Sequence, residues 1–111
     1  MSDSTLPPEI EVEELAERRR RDPVLAVLDV REDWERDICR LADTIDIPLA
    51  VLAQRAAELP RDGTLVVMCR SGKRSHAAAS WLRANGFDNA VNLAGGILAW
   101  AARIDPSLRT Y

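Results

Sequence analysis

The sequence predicts a single α/β domain, a parallel β-sheet with helices on both faces. Three observations carry this. Short apolar runs alternate with helical patterns along the chain, which is the order that builds βαβ units. Two runs, 24–30 and 65–68, are almost continuously apolar, as strands buried on both faces are. The second run leads through a glycine-containing loop, 69–75, into a helical segment. In folds of this kind the functional site lies at the carboxyl ends of the strands.

Taken in order, residues 1–9 read as a flexible polar lead and 10–111 as the domain. Ile10-Glu11-Val12 suits a short strand or a staple onto the first helix. Residues 13–21 form that helix, with acids early and Arg18 to Arg21 late, an order that complements the helix dipole. The arginine run is read as a solvated helix end rather than a docking patch. Asp22-Pro23 stops the helix. The strand 24–30 follows, broken near its end by Asp29, with Arg31 two residues on. A buried acid needs a partner, so Asp29 is expected to support the structure by pairing with Arg31 or with a nearby backbone N–H.

Residues 32–37 suggest a short helix carrying Trp34. Ile45 to Pro48 reads as an edge strand, because proline ends it. Residues 49–59 read as one amphipathic helix, with Leu49, Leu52, Ala53, Ala56 and Leu59 on one face. Residues 60–63 make a turn and 64–68 the central strand. The helix after the loop is expected over 76–84, closed by Asn85-Gly86. Residues 90–93 form the next strand, Gly95-Gly96 a turn, and 97–102 the last helix. An irregular tail follows over 105–111. The three tryptophans, Trp34, Trp81 and Trp100, are expected in the core.

A chain of 111 residues has the length of one domain and needs no disulfides to hold a core. Its net charge of −3 argues against general nucleic-acid binding. No apolar run approaches the ~20 residues of a membrane span, and residues 1–8 lack the basic and apolar regions of a signal peptide. Two cysteines make no disulfide framework, which suits a cytoplasmic protein. With one histidine and no His/Cys spacing for a metal, neither metal nor cofactor is expected.

The stretch Cys69-Arg70-Ser71-Gly72-Lys73-Arg74-Ser75 holds the chemistry. Gly72 lets the backbone curl, so that successive N–H groups form an anion nest. The helix behind it adds unpaired donors and a positive dipole end. Arg70, Lys73 and Arg74 add full charge, and Ser71 and Ser75 add hydroxyl donors. A thiol in such surroundings is expected to react as its thiolate, so Cys69 is the candidate nucleophile. Arg70 and Arg74 are expected to bind an anionic substrate, with Lys73 assisting at the rim. An ionised thiol needs no general base, and His76 is read as a surface or packing residue. Cys39 is read as non-catalytic, placed far from Cys69.

Four segments resemble a rhodanese domain: Leu28-Asp29-Val30-Arg31-Glu32, Ile47-Pro48-Leu49, the loop 69–75, and Asn92-Leu93-Ala94-Gly95-Gly96-Ile97-Leu98-Ala99-Trp100. The resemblance runs from about Ile10 to Tyr111. It implies a five-stranded parallel sheet and a sulfurtransferase whose cysteine cycles through a persulfide, with thiosulfate or another sulfane-sulfur compound as donor. The ending Ile104-Asp105-Pro106-Ser107-Leu108-Arg109-Thr110-Tyr111 is similar to that of rhodanese domains fused behind E1-like adenylating enzymes of molybdopterin, thiamin or cysteine biosynthesis. This implies as partners a ubiquitin-like sulfur carrier ending in Gly-Gly and such an adenylating enzyme. One departure stands out. Residues 37–44 replace the Gly-His-Ile-Pro-Gly-Ala segment usual in the family.

Other readings share these features. Cysteine phosphatases and arsenate reductases resemble Cys-x5-Arg, whereas Cys69 to Arg74 is Cys-x4-Arg, a tighter ring that fits a sulfur atom better than a phosphoryl group. A non-catalytic interaction module on the same fold commonly lacks the cysteine that this chain keeps. A general thiosulfate or polysulfide detoxifier needs no protein partner.

Overall fold

The computed structural model describes residues 7–111. Five strands form one parallel sheet: β1 (Glu9–Ile10), β2 (Ala26–Asp29), β3 (Ile45–Asp46), β4 (Leu65–Met68) and β5 (Ala90–Leu93). Their spatial order is β1-β5-β4-β2-β3, so β4 is central and its carboxyl end lies among neighbouring strand ends. The register pairs Leu28 with Val67, Val67 with Asn92, and Leu28 with Ile45. This is the expected α/β architecture.

The helices are α1 (Val12–Arg21), α2 (Asp33–Ile38), α3 (Leu52–Arg55), α4 (Lys73–Ala84) and α5 (Gly96–Arg103). Alternation along the strands divides the core between the two faces of the sheet. Leu28, Leu65, Val67 and Cys69 pack with Leu52, Ala56, Ala78 and Leu82, so α3 and α4 cover this face. Val27, Val66 and Met68 pack with Val12, Leu15, Ile97 and Trp100, so α1 and α5 cover the other. In α1 the order of acids and arginines is realised as an i,i+4 pair, Glu14–Arg18 at 2.6 Å. A capping box between Glu32 and Glu35 starts α2.

Several local expectations change. Residues 1–6 of the expected lead lie outside the described residues, whereas Pro7 is buried and the Pro8 carbonyl accepts a bond from the Asn92 N–H (2.8 Å). The strand expected from Val24 begins at Ala26. Asp22 turns the chain by accepting from the Val24 N–H, and Val24 is left 88% exposed. The helix expected over 49–59 is a 3₁₀ turn, the short α3 and a second 3₁₀ turn; Leu52, Ala56 and Leu59 still face inward while Ala53 is exposed. Of the tryptophans only Trp100 is core. Trp34 is 59% and Trp81 37% exposed, because α2 and the last turn of α4 present those positions outward. The helix expected at 76 starts at Lys73, since Gly72 at φ 103° completes the turn one residue earlier.

Gly96 fixes how closely α5 approaches the end of β4. It has φ +59°, and a Cβ there would press into the carbonyl oxygens of Cys69 and Arg70. Gly96→Ala is therefore expected to destabilise the domain by about 2 kcal/mol or more, from left-handed strain plus overpacking. Urea unfolding should show a lower midpoint at unchanged slope.

Candidate active site

Cys69 follows the last residue of β4 and is buried, 1% exposed. Its Sγ accepts three hydrogen bonds, from the Gly72 N–H (3.1 Å), the Ser75 N–H (3.3 Å) and the Ser75 hydroxyl (3.3 Å). Two of these donors belong to the start of α4, so the sulfur occupies the place of a helix cap. Three donors on one sulfur suit an atom that carries negative charge.

The loop is held in this curl from behind. Two N–H groups in the first turn of α5, of Ile97 and Leu98, donate to the carbonyls of Cys69 (2.9 Å) and Arg70 (3.1 Å). Asn92 on β5 donates from its amide to the Gly72 carbonyl (3.3 Å) and the Glu9 carboxylate (2.8 Å). Ser71, Gly72, Lys73 and His76 line a cleft of about 420 Å³ with Glu9, Asn92 and Gly95. His76 thus lines this cleft on one side of the loop, half-buried.

The charged residues are brought together differently from the sequence expectation. Both ends of the Arg74 fork are taken by Glu35, at 2.6 and 2.8 Å. Arg70 donates to the Tyr111 carbonyl, and its guanidinium lies 5.0 Å from the centre of the Tyr111 ring. Lys73 is exposed and, among the described residues, has no hydrogen-bond or ion-pair partner. Of the three loop cations it alone is unengaged.

Beneath them lies a buried network. Arg31, fully buried, pairs with Asp29 at 2.9 Å and donates also to the carbonyls of Cys39 (2.9 Å) and Glu35 (3.4 Å). It donates further to the Tyr111 hydroxyl (2.9 Å), which in turn donates to Glu35 (2.7 Å). Asp29, Arg31, Tyr111, Glu35 and Arg74 form one chain of contacts, and Arg74 lies close enough for its charge to act on Cys69. Hydrogen bonding from Arg74 is the main reason the Glu35 carboxyl is held down at about 2, against burial, which pushes it up. Burial alone would lower the Arg31 pKa, but bonds to Asp29 and Tyr111 leave it raised. Burial also raises that of Tyr111.

Glu35, Tyr111, Asn92 and Glu9 were not among the candidates from sequence. Only Glu35 carried a local signal, the Glu32-x-x-Glu35 capping pattern, and that marks a helix start rather than a partner for Arg74. Cys39 is buried against Leu41 and Met68 on the face opposite Cys69, and its thiol belongs to that separate core.

The Glu35 shift has a defined consequence for stability. Its folded-state value of about 2 lies below the usual 4.5, so the ionised form favours the native state. That contribution is fully present above pH 4.5 and is lost as the pH falls towards 2. Glu35→Gln is expected to lower stability at neutral pH and to flatten the acid limb. Urea midpoints of the two proteins, followed from neutral pH down to about pH 2.5, should converge as the pH falls.

Comparison with known proteins agrees with this geometry. Residues 11–103 match the rhodanese-like domain family. A sulfurtransferase of Allochromatium vinosum is 34% identical over 93 residues, covering 84% of this chain and 87% of that one. The adenylyltransferase and sulfurtransferase MOCS3 of Arabidopsis thaliana is 36% identical over 101 residues, covering 77% of this chain but only 22% of that longer protein. The crystal structure of a rhodanese-related protein from Thermoplasma volcanium superposes with a TM-score of 0.80 at 34% identity, covering 87% of this chain and 93% of that one. Matched over most of its length, the chain belongs to the rhodanese-like domain family and is a sulfurtransferase.

Proposed function

We propose that Cys69 takes a sulfane sulfur as a persulfide and passes it to a protein acceptor, a sulfur carrier with a Gly-Gly end activated by an E1-like adenylating enzyme. The observation that supports the first half is the convergence of three donors on Sγ. With thiosulfate, the Cys69 thiolate attacks the outer sulfur, the S–S bond breaks and sulfite leaves. The product, Cys69–S–S⁻, places a second anionic sulfur in the nest formed by the backbone of Ser71, Gly72, Lys73 and Ser75. Lys73 meets the incoming anion at the rim. Arg74 and Arg70 add charge from positions set by Glu35 and Tyr111. Asp29 and Arg31 hold that frame and touch no substrate.

The second half draws on the relatives. MOCS3 is named as both adenylyltransferase and sulfurtransferase, and this chain spans 22% of it. The outer sulfur of the persulfide attacks the carrier's C-terminal acyl-adenylate and displaces AMP, and a reducing thiol then cleaves the bond to Cys69, freeing the carrier thiocarboxylate. Among the described residues no helix is long and apolar enough to cross a membrane, which suits delivery to a dissolved partner in the cytoplasm.

Intact-mass measurement after thiosulfate should show one added sulfur on the protein, none on Cys69→Ser, and undiminished loading and cyanide turnover in Cys39→Ser. A gain that persists in Cys69→Ser would remove Cys69 from the chemistry. Reconstitution tests the acceptor, combining this protein, thiosulfate, ATP, a reducing thiol, an adenylating enzyme and a carrier. A carrier thiocarboxylate that depends on Cys69 is expected. Fast turnover to cyanide with every carrier left unmodified would instead identify a thiosulfate detoxifier.

A further inference from the structure

The Tyr111 ring and carbonyl engage the first cation of the catalytic loop, and its hydroxyl engages the partner of the third. We propose that Tyr111 is a specificity-determining residue, which withholds Arg70 from the loop mouth and so sets the charge of the sulfur donor that the loop prefers. This rests on the reading of Cys69 as the sulfur-accepting thiol.

The argument is one of competition for a single guanidinium. Arg70 follows Cys69 directly and is half-buried. Its charge is spent on the Tyr111 ring and main-chain oxygen, both of which the anchored Tyr111 side chain holds within its reach. The tail is anchored independently of Arg70. The Tyr111 hydroxyl sits between Arg31 and Glu35, and the ring packs edge-on against Trp34 at 5.9 Å between centroids. Leu108 packs against the core formed with α1 and α5. Tyr111 therefore stays in place whether or not Arg70 remains on it. Arg74 is held by the Glu35 carboxylate, which neutralises it. With Arg70 held on Tyr111 and Arg74 paired, Lys73 alone offers the donor an unengaged charge. A loop with one free cation discriminates weakly between a dianion and a monoanion. Releasing Arg70 adds a second charge and favours the dianion.

The test compares two donors that react alike and differ in charge, thiosulfate with two negative charges and methanethiosulfonate with one. In each the Cys69 thiolate attacks the outer sulfur and the S–S bond breaks. The leaving group is sulfite or methanesulfinate, and no further reactant is needed. Second-order loading rates of Cys69 are read by intact mass under single-turnover conditions. Tyr111→Ala is expected to raise the thiosulfate-to-methanethiosulfonate rate ratio on the order of threefold, with the gain reduced by added salt. In an Arg70→Ala background the same substitution should leave the ratio unmoved. If Tyr111→Ala does not fold, Tyr111→Leu keeps apolar bulk beside Trp34 without an aromatic face for the guanidinium, and the same rise is expected. An unchanged or lowered ratio in a folded variant, or an equal rise without Arg70, overturns the assignment. A wild-type protein that loads no sulfur on Cys69 from either donor overturns the underlying reading as well.

Discussion

The Arg31 guanidinium, fully buried beside Asp29, is the interaction on which the rest of the site depends. A buried charge is costly unless its partners satisfy it. Here acceptors arrive from four places: the Asp29 carboxylate at the end of β2, the Glu35 and Cys39 carbonyls of α2 and its cap, and the Tyr111 hydroxyl of the tail. These segments are tied to one planar group. If α2 or the tail moves away, Arg31 loses acceptors it cannot replace with water. The pair thus acts as an alignment device, since a guanidinium accepts partners only in its own plane. Apolar packing on either face of the sheet would fix the layers but leave α2 free to slide.

Alignment of α2 matters because Glu35 lies on it. The carboxylate reaches across to Arg74 in the first turn of α4. Three basic residues around a helix N-terminus oppose the helix dipole. Glu35 offsets one of them, and the sulfur of Cys69 accepts the helix donors that would otherwise lack partners. Of the cations that cluster in sequence, Arg74 is held by Glu35 and Arg70 by Tyr111, and Lys73 is left exposed.

This explains what could be read from the chain and what could not. The parallel sheet was legible because the runs ending in Val30 and Met68 are apolar on both faces, and the loop was legible because Cys69 and Gly72 sit between such a run and a helix. The Asp29–Arg31 pair spans two residues, so its logic is local. Glu35 and Tyr111 are separated from their partners by tens of residues, with Glu35 bonding Arg74 39 positions away and Tyr111 bonding Glu35 76 away. No spacing rule reaches that far. Trp34 failed for a related reason. Composition places tryptophan in a core, but α2 is a six-residue helix whose inward positions are taken by Glu35 and Arg36, leaving Trp34 to cover Tyr111 from outside.

The orientation of the loop follows from what lies behind it. In a peptide unit the carbonyl and the N–H point in opposite directions. The Cys69 and Arg70 carbonyls are drawn outward to the Ile97 and Leu98 N–H groups, and the Gly72 carbonyl to the His76 N–H and the Asn92 amide. Two other peptide units of the loop present their N–H groups, those of Gly72 and Ser75, to the sulfur. Such a nest needs no ligand to form, because the first turn of α5 supplies the donors that hold its outer rim. That contact requires the two backbones to approach without a side chain between them, and Gly96 permits it. The segment Gly95-Gly96-Ile97, distant in sequence from Cys69 and bearing no reactive group, is therefore part of what shapes the Cys69 loop. It converts the end of an ordinary buried strand into a place where backbone N–H groups converge on one sulfur.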